Sequence, residues 1–217
     1  INDGDEKRRP CRSVGATIPE AVTQRATRAA QLAGVSQFAV WQGLFAVWAL
    51  RHMDDEQEEK VGNSKDVLVV GPYGRRDMAQ FQRTVGYLLN MVVYRYRAEA
   101  LVASSDLVSL ARESGRVIAE AIERGGNYPF ARLMREAGVI NSEDLMDVMF
   151  NWVTGQELGG FVGESRHDSK NAFTMHCDGA MLAVESTVFD GMNELHDVLG
   201  GVLRLATGSK QDRPAVE

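Results

Sequence analysis

The sequence predicts an α+β domain built on a mixed sheet, and three observations carry that prediction. Val85 to Arg95 holds eight apolar or aromatic residues in eleven with almost no alternation, the pattern of a strand covered on both faces and therefore central in its sheet. Phe173 to Val184 reads as two alternating runs around Asp178-Gly179, the strongest short hairpin signal, because both turn residues tolerate positive φ. Several other stretches repeat apolar residues at three and four, the spacing of helices with one buried face.

In chain order, residues 1–13 are charged and carry Gly and Pro, so they read as a flexible arm ahead of a domain over residues 14–207. Pro19 opens a helix in which Val22, Ala26, Ala29 and Ala33 share a face, and Gly34 closes it. Ser36 is placed to cap a second helix, Gln37 to His52, with Trp41, Leu44, Phe45 and Trp48 inward. Asp54 to Asp66 is an acidic, solvated loop. Val67 to Val70, ended by Gly71-Pro72, makes a short buried strand. After the apolar run, Ser105 is placed to cap a helix carrying Leu107, Leu110, Ala111, Ile118, Ala121 and Ile122, ended by Gly125-Gly126. Pro129 starts a short helix with Phe130, Leu133 and Met134, stopped at Gly138. Leu145 to Val153 reads as a strand. A two-residue hairpin turn sets Cys177 opposite Ala180, Met175 opposite Leu182 and Phe173 opposite Val184. The last helix runs from Asp190 to Gly208 with Leu195, Val198, Leu199, Val202 and Leu205 inward, and residues 208–217 form a polar tail or linker.

Composition narrows the function classes. A net charge of −6 with no basic cluster argues against a nucleic-acid or anionic-membrane binder. The longest apolar run, Phe38 to Leu50, is too short to span a bilayer. Two cysteines, Cys11 and Cys177, form no disulfide framework and suit a reducing, cytoplasmic setting. No spacing of Cys, His, Asp and Glu matches a metal site. His176 falls on the polar side of the hairpin, pointing away from Cys177, and reads as a boundary histidine. His52 suits the negative end of its helix. His167 and His196 adjoin Asp168 and Asp197, but sequence neighbours face different ways and make no dyads. Asn90, a polar amide within the apolar run, needs its donors and acceptors matched and reads as a tie between backbone segments. The chain begins with Ile1 and reads as a piece of a longer polypeptide.

Gly86-Tyr87-Leu88-Leu89-Asn90 with Arg95 resembles the Gly-x-Phe-Val-Asn motif and trailing Arg of condensation domains from nonribosomal peptide synthetases. Asp66 to Arg76, which includes Arg75, resembles that family's Asp-x-Val-Val-Gly…Gly-Arg segment. Asn127-Tyr128-Pro129-Phe130 resembles its Gln-Asp-x-Pro-Phe segment. The three stand in the family's order, and the similarity runs from about Ile18 to about Ala206, the C-terminal half of the family's fold. The family's His-His-x-x-x-Asp-Gly motif belongs to the other half and is absent here. Gly125-Gly126 stands where the family commonly has His-Gln.

The resemblance implies a chloramphenicol-acetyltransferase-like half-domain, a mixed sheet with helices packed on one side. It implies peptide-bond formation by acyl transfer, in which the amine of one carrier-protein-bound substrate attacks the thioester of another inside a tunnel between two halves. The working histidine would reside on the N-terminal half, so this chain alone is expected to be inactive. Met149-Phe150-Asn151-Trp152 resembles the family's tunnel strand, which makes Met149, Asn151 and Trp152 tunnel residues and Asn151 the side chain expected to reach the reaction centre. Gly86, Asn90, Arg95, Arg75, Pro129 and Phe130 carry over as architectural. No cofactor is expected to bind directly, because the substrates ride on phosphopantetheine arms of carrier proteins. The implied partners are the N-terminal half, carrier-protein and adenylation domains, with neither nucleic acid nor membrane. Two alternatives are an inactive condensation-like module that recruits a partner protein and a stand-alone thioester-dependent acyltransferase.

Overall fold

The computed structural model describes residues 11–52, 66–74, 79–81, 83–85, 88–138, 148–153, 163–165, 173–186 and 192–208. Seven strands form one sheet among them: β1 Cys11–Thr17, β2 Val67–Tyr73, β3 Asn90–Tyr96, β4 Val148–Trp152, β5 Gly163–Ser165, β6 Phe173–Cys177 and β7 Met181–Ser186. Their spatial order is β3-β2-β4-β6-β7-β1-β5. The β2–β4 and β4–β6 pairs are parallel and the others antiparallel, so the sheet is mixed as expected. The helices are α1 Glu20–Ala33, α2 Gln37–His52, α3 Ala98–Ala103, α4 Leu107–Gly125, α5 Phe130–Glu136 and α6 Met192–Thr207.

One sheet face takes the helices, and strand alternation shows which residues it uses. Val14, Val69, Val92, Tyr94, Phe150, Met175, Leu182 and Val184 point into a single core with Val22 and Ala26 of α1, Trp41 and Phe45 of α2, Ala111 of α4 and Leu199 of α6. Helix α2 is the hub, with Val40 through Ala46 buried on every side. It packs on β2 and β4 below and on α1, α4 and α6 around it. A helix enclosed all round needs no polar face, which is why its sequence carries almost none. Its exception, the fully buried Gln42, accepts from the Tyr96 hydroxyl at 2.8 Å. That hydroxyl, its one proton committed, accepts from Ser114 Oγ at 2.7 Å, which ties β3, α2 and α4 together. No single helix among the described residues is long and apolar enough to cross a membrane.

Several expectations are corrected. The apolar run is not a central strand: pairing starts only at Asn90, Val85 is fully exposed, and β3 lies at one end of the strand order. Its alternation is that of an edge strand packed on one face, with Val92, Tyr94 and Tyr96 inward and Arg95 outward. Residues 11–13, expected to belong to a flexible arm, are strand instead: Cys11–Thr17 pairs with both β5 and β7 and buries Ser13, while residues 1–10 lie outside the described residues. Helix α4 is capped by Asp106, not Ser105. The Asp106 carboxylate accepts from Ser109 N at 2.7 Å and Ser109 Oγ accepts from Asp106 N at 3.1 Å. The hydrogen bond from the Ser109 backbone N–H holds the Asp106 carboxyl below the usual aspartate range.

The hairpin keeps its predicted face but shifts by two. Cys177 pairs with Leu182 and Met175 with Val184. Asp178 lengthens the turn, its Oδ1 accepting from Ala180 N at 2.8 Å and Met181 N at 2.7 Å, and Gly179 takes the positive φ of 88°. A shift of two residues preserves side-chain parity, so Met175, Cys177, Leu182 and Val184 stay inside, while Ala180, expected on the same face, is exposed in the turn.

Gly71 marks the closest approach of two strands. A β-carbon there would lie 2.9 Å from the Phe150 carbonyl oxygen and 3.0 Å from Tyr94 Cε2. Gly71→Ala is expected to cost about 1–3 kcal/mol in urea unfolding, the usual range for overpacking. An unchanged midpoint would mean that β4 moves aside freely.

Candidate functional site

The three stretches that resemble family motifs meet through hydrogen bonds. Asn90 opens β3 with its side chain on the helix face, in phase with Val92 and Tyr94. Its Nδ2 donates toward the carbonyls of Tyr128 at 2.8 Å and of Gly125 and Gly126 at 3.2 Å each. Its Oδ1 accepts from Phe130 N at 3.1 Å. One amide thus closes the end of α4 and supplies an acceptor to the first turn of α5, where Pro129 stands at the N-cap and has no N–H of its own. Arg95 donates through Nε and Nη2 to Asp66 Oδ2 at 2.6 and 2.5 Å, linking the outer end of β3 to the start of β2. Its side chain is 64% exposed, so water screens the pair and its worth is small. Asn90 thus joins β3 to the Pro129–Phe130 start of α5, Arg95 pairs with Asp66, and Gly86 and Arg75 lie outside the described residues.

The predicted tunnel residues divide between the two faces. Met149 and Asn151 point away from the helices. Trp152, one position on, points into the core, its ring 6.3 Å from Phe38 in an edge-on arrangement. Trp152 is therefore corrected to the helix-bearing face, where it is partly buried against the core, as strand alternation requires.

On the face opposite the described helices, the middle of the sheet holds a pair that the sequence did not reveal. In the parallel β4–β6 ladder Asn151 stands beside His176, and Met149 beside Thr174. Asn151 Nδ2 lies 3.3 Å from His176 Nδ1. Asn151 is partly exposed, while His176 is only 6% exposed and Thr174 is fully buried. The expected boundary histidine is thus enclosed by strands on both sides. The alternation of Thr174 and His176 with Phe173, Met175 and Cys177 is legible in the sequence, but the parallel register that brings Asn151 alongside is not.

The other chemistry-bearing side chains among the described residues lie away from this pair. Burial pushes the Cys177 thiol up, which keeps it protonated and poorly nucleophilic. His52 closes α2, its Nδ1 2.7 Å from the Trp48 carbonyl and its ring stacked on Trp48 at 4.5 Å. His196 and Asp197 are both exposed on α6, and His167 lies outside the described residues. Tyr128 donates to Glu136, whose acceptance raises the phenol and lowers the carboxyl, with Arg132 lying over the ring at 5.4 Å.

No protein-family model and no curated protein matches the sequence. Solved structures do match. The condensation domain of the monacolin K polyketide synthase MokA superposes on 98% of this chain with a TM-score of 0.70 at 14% identity, and 51% of that domain is covered. The X-domain solved in complex with OxyB from teicoplanin biosynthesis gives a TM-score of 0.69 over 99% of this chain and 51% of its own length, at 12% identity. The four-domain nonribosomal peptide synthetase holo-AB3403 gives 0.69 over 97% of this chain at 12% identity, with 18% of that chain covered. The chain spans about half the length of the condensation-type domains it matches. It therefore has a condensation-domain fold, with the extent expected of a C-terminal half.

Proposed function

We propose that this chain is one wall of a two-piece condensation domain that forms an amide between two carrier-bound substrates. The observation that carries the reading is the match of nearly the whole chain to half of a condensation domain. In the reaction, the acceptor amine attacks the donor's thioester carbonyl carbon. A C–N bond forms, the C–S bond breaks, and the amine's proton leaves by way of the histidine on the other half while the phosphopantetheine thiol departs. Asn151, on the sheet face opposite the helices, is the group on this wall that meets the reacting atoms. Substrates arrive on carrier proteins loaded by adenylation domains, and this chain binds no cofactor of its own.

The test is to supply this chain with a half-domain carrying His-His-x-x-x-Asp-Gly, add two loaded carrier proteins and assay the amide by mass spectrometry. Product is expected only with both halves present, and product from this chain alone would overturn the proposal. In the joined domain, Asn151→Ala is expected to lower turnover about 10- to 100-fold, the effect of one transition-state hydrogen bond of roughly 1.4–2.7 kcal/mol. The melting temperature should hold. If it falls together with the activity, Asn151 is a structural residue.

A second reading is a condensation-like module that binds a partner protein and catalyses nothing. The equally good match to an X-domain solved in complex with another protein favours it. A folded, joined domain that accepts both loaded carriers yet yields no amide would select this reading.

A further inference from the structure

We propose that His176 is a positioning residue that fixes which end of the Asn151 carboxamide faces the substrates, an inference that rests on the condensation reading. A carboxamide has a donor end and an acceptor end of nearly equal size, and a free asparagine can turn either one outward. Here one N–H of the donor end is engaged. Nδ2 of Asn151 is directed at Nδ1 of His176, 3.3 Å away, across adjacent parallel strands whose register holds the two residues side by side.

The ring that receives it is buried in the middle of the sheet. His176 lies on β6, the middle strand of the sheet, with Asn151 of β4 on one side and Ala183 of β7 on the other. It is 6% exposed, and Ala183 is fully buried. For Nδ1 to accept, the ring must carry its proton on Nε2, which defines one tautomer. With Nδ2 turned to the ring, Oδ1 lies at the end of the carboxamide away from His176, beside the one N–H that the ring leaves uncommitted.

The consequence is chemical. An outward-facing Oδ1 accepts a hydrogen bond, so Asn151 pairs with a donor, and the donor in amide formation is the N–H of the attacking amine. The thioester carbonyl oxygen, where negative charge develops, needs donors and would be repelled by Oδ1. Asn151 therefore orients the nucleophile, and oxyanion stabilisation falls to other groups. Had His176 carried its proton on Nδ1, it would hold Oδ1 and turn the NH2 outward, reversing the assignment.

The tautomer can be read without any activity. Nitrogen-15 NMR of the histidine-labelled full chain is expected to show His176 protonated at Nε2 and unprotonated at Nδ1, with both signals shifting in Asn151→Ala. A proton on Nδ1, or an imidazole indifferent to Asn151→Ala, overturns the proposal. In the joined domain, His176→Asn offers an amide oxygen near the place of Nδ1, whereas His176→Phe offers none. His176→Phe is expected to lower kcat about tenfold with KM nearly unchanged, the factor for one lost hydrogen bond, while His176→Asn retains most of the rate. Equal losses in the two variants would make the role one of packing only and overturn the positioning. A wild-type joined domain that forms no amide would sink the condensation reading, while the NMR result still decides the pairing of His176 with Asn151.

Discussion

Asn90→Ala is expected to lower unfolding free energy by about 2–4 kcal/mol. The truncation removes the donors that serve the carbonyls of Gly125, Gly126 and Tyr128 and the acceptor that serves Phe130 N. The last carbonyls of α4 and the first amides of α5 have no partner within their own helices, and although the Gly125 carbonyl also accepts from Tyr128 N at 3.1 Å, the loss falls largely on groups at the helix ends. Water reaches this partly exposed site, which keeps the total below the sum of separate hydrogen bonds. Asn90→Asp tests the same geometry by sign. Its carboxylate would face three carbonyl oxygens with nothing to donate, so at neutral pH it should be worse than alanine. Those carbonyls favour the protonated acid and raise its folded pKa above the unfolded value, so stability should recover as the pH falls toward about 4. Urea unfolding at neutral and acid pH is the measurement. A loss below about 1 kcal/mol for Asn90→Ala would show that α4 and α5 hold their ends without the amide.

How far the sequence could be read follows from the range of the interactions involved. Helix α2 matches its expected bounds, Gln37 to His52, because apolar spacing and the end of a helix are local signals. The tie through Asn90 was legible for a different reason: a polar amide amid apolar residues must have partners, whatever they prove to be. Strand order was not legible. An apolar run without alternation is the same for a central strand and for an edge strand preceded by an exposed loop, and here Val85 belongs to the second. Strand β1 escaped because small residues such as Ser13, Gly15 and Ala16 give no apolar contrast, and its partners lie far along the chain at β5 and β7. The hairpin shift turned on the Asp178 carboxylate taking two amides, which the Asp-Gly pair does not distinguish from a tight turn. The pairing of Asn151 with His176 is the extreme case. It depends on parallel register between strands joined through intervening chain, and no local rule sets that register.

Alkaline solution should unfold this protein steeply, with stability level to about pH 9 and falling from there. Three protonated groups are buried in the core: Tyr94, Tyr96 and Cys177. Burial pushes the Tyr94 phenol from its ordinary 10.0 up to about 12, with Tyr73 adding to the rise. Burial pushes Tyr96 up further, against the opposing hydrogen bond from Ser114. The Cys177 thiol rises from its ordinary 9.0 for the same reason. The sign follows directly. Each folded value lies above the unfolded one, so each group's contribution is whole below the unfolded value and is lost as pH climbs toward the folded one. The unfolded chain releases its thiol proton near 9 and its phenol protons near 10, while the folded chain keeps all three. Each such proton tilts stability by about 1.4 kcal/mol per pH unit, so by about pH 11 the three together reach roughly 4 kcal/mol per unit. Against a typical total of about 5–15 kcal/mol, that slope unfolds the chain within a unit or two. Tyr94→Phe keeps the ring against Phe38 and Gly71 and removes one titrating proton, so its stability should fall about one third less steeply between pH 10 and 12. Urea unfolding at a series of pH values measures both slopes. A wild-type curve flat through about pH 11, or a Tyr94→Phe slope equal to the wild type, would mean that water reaches these phenols and that the core around α2 is looser than its packing implies.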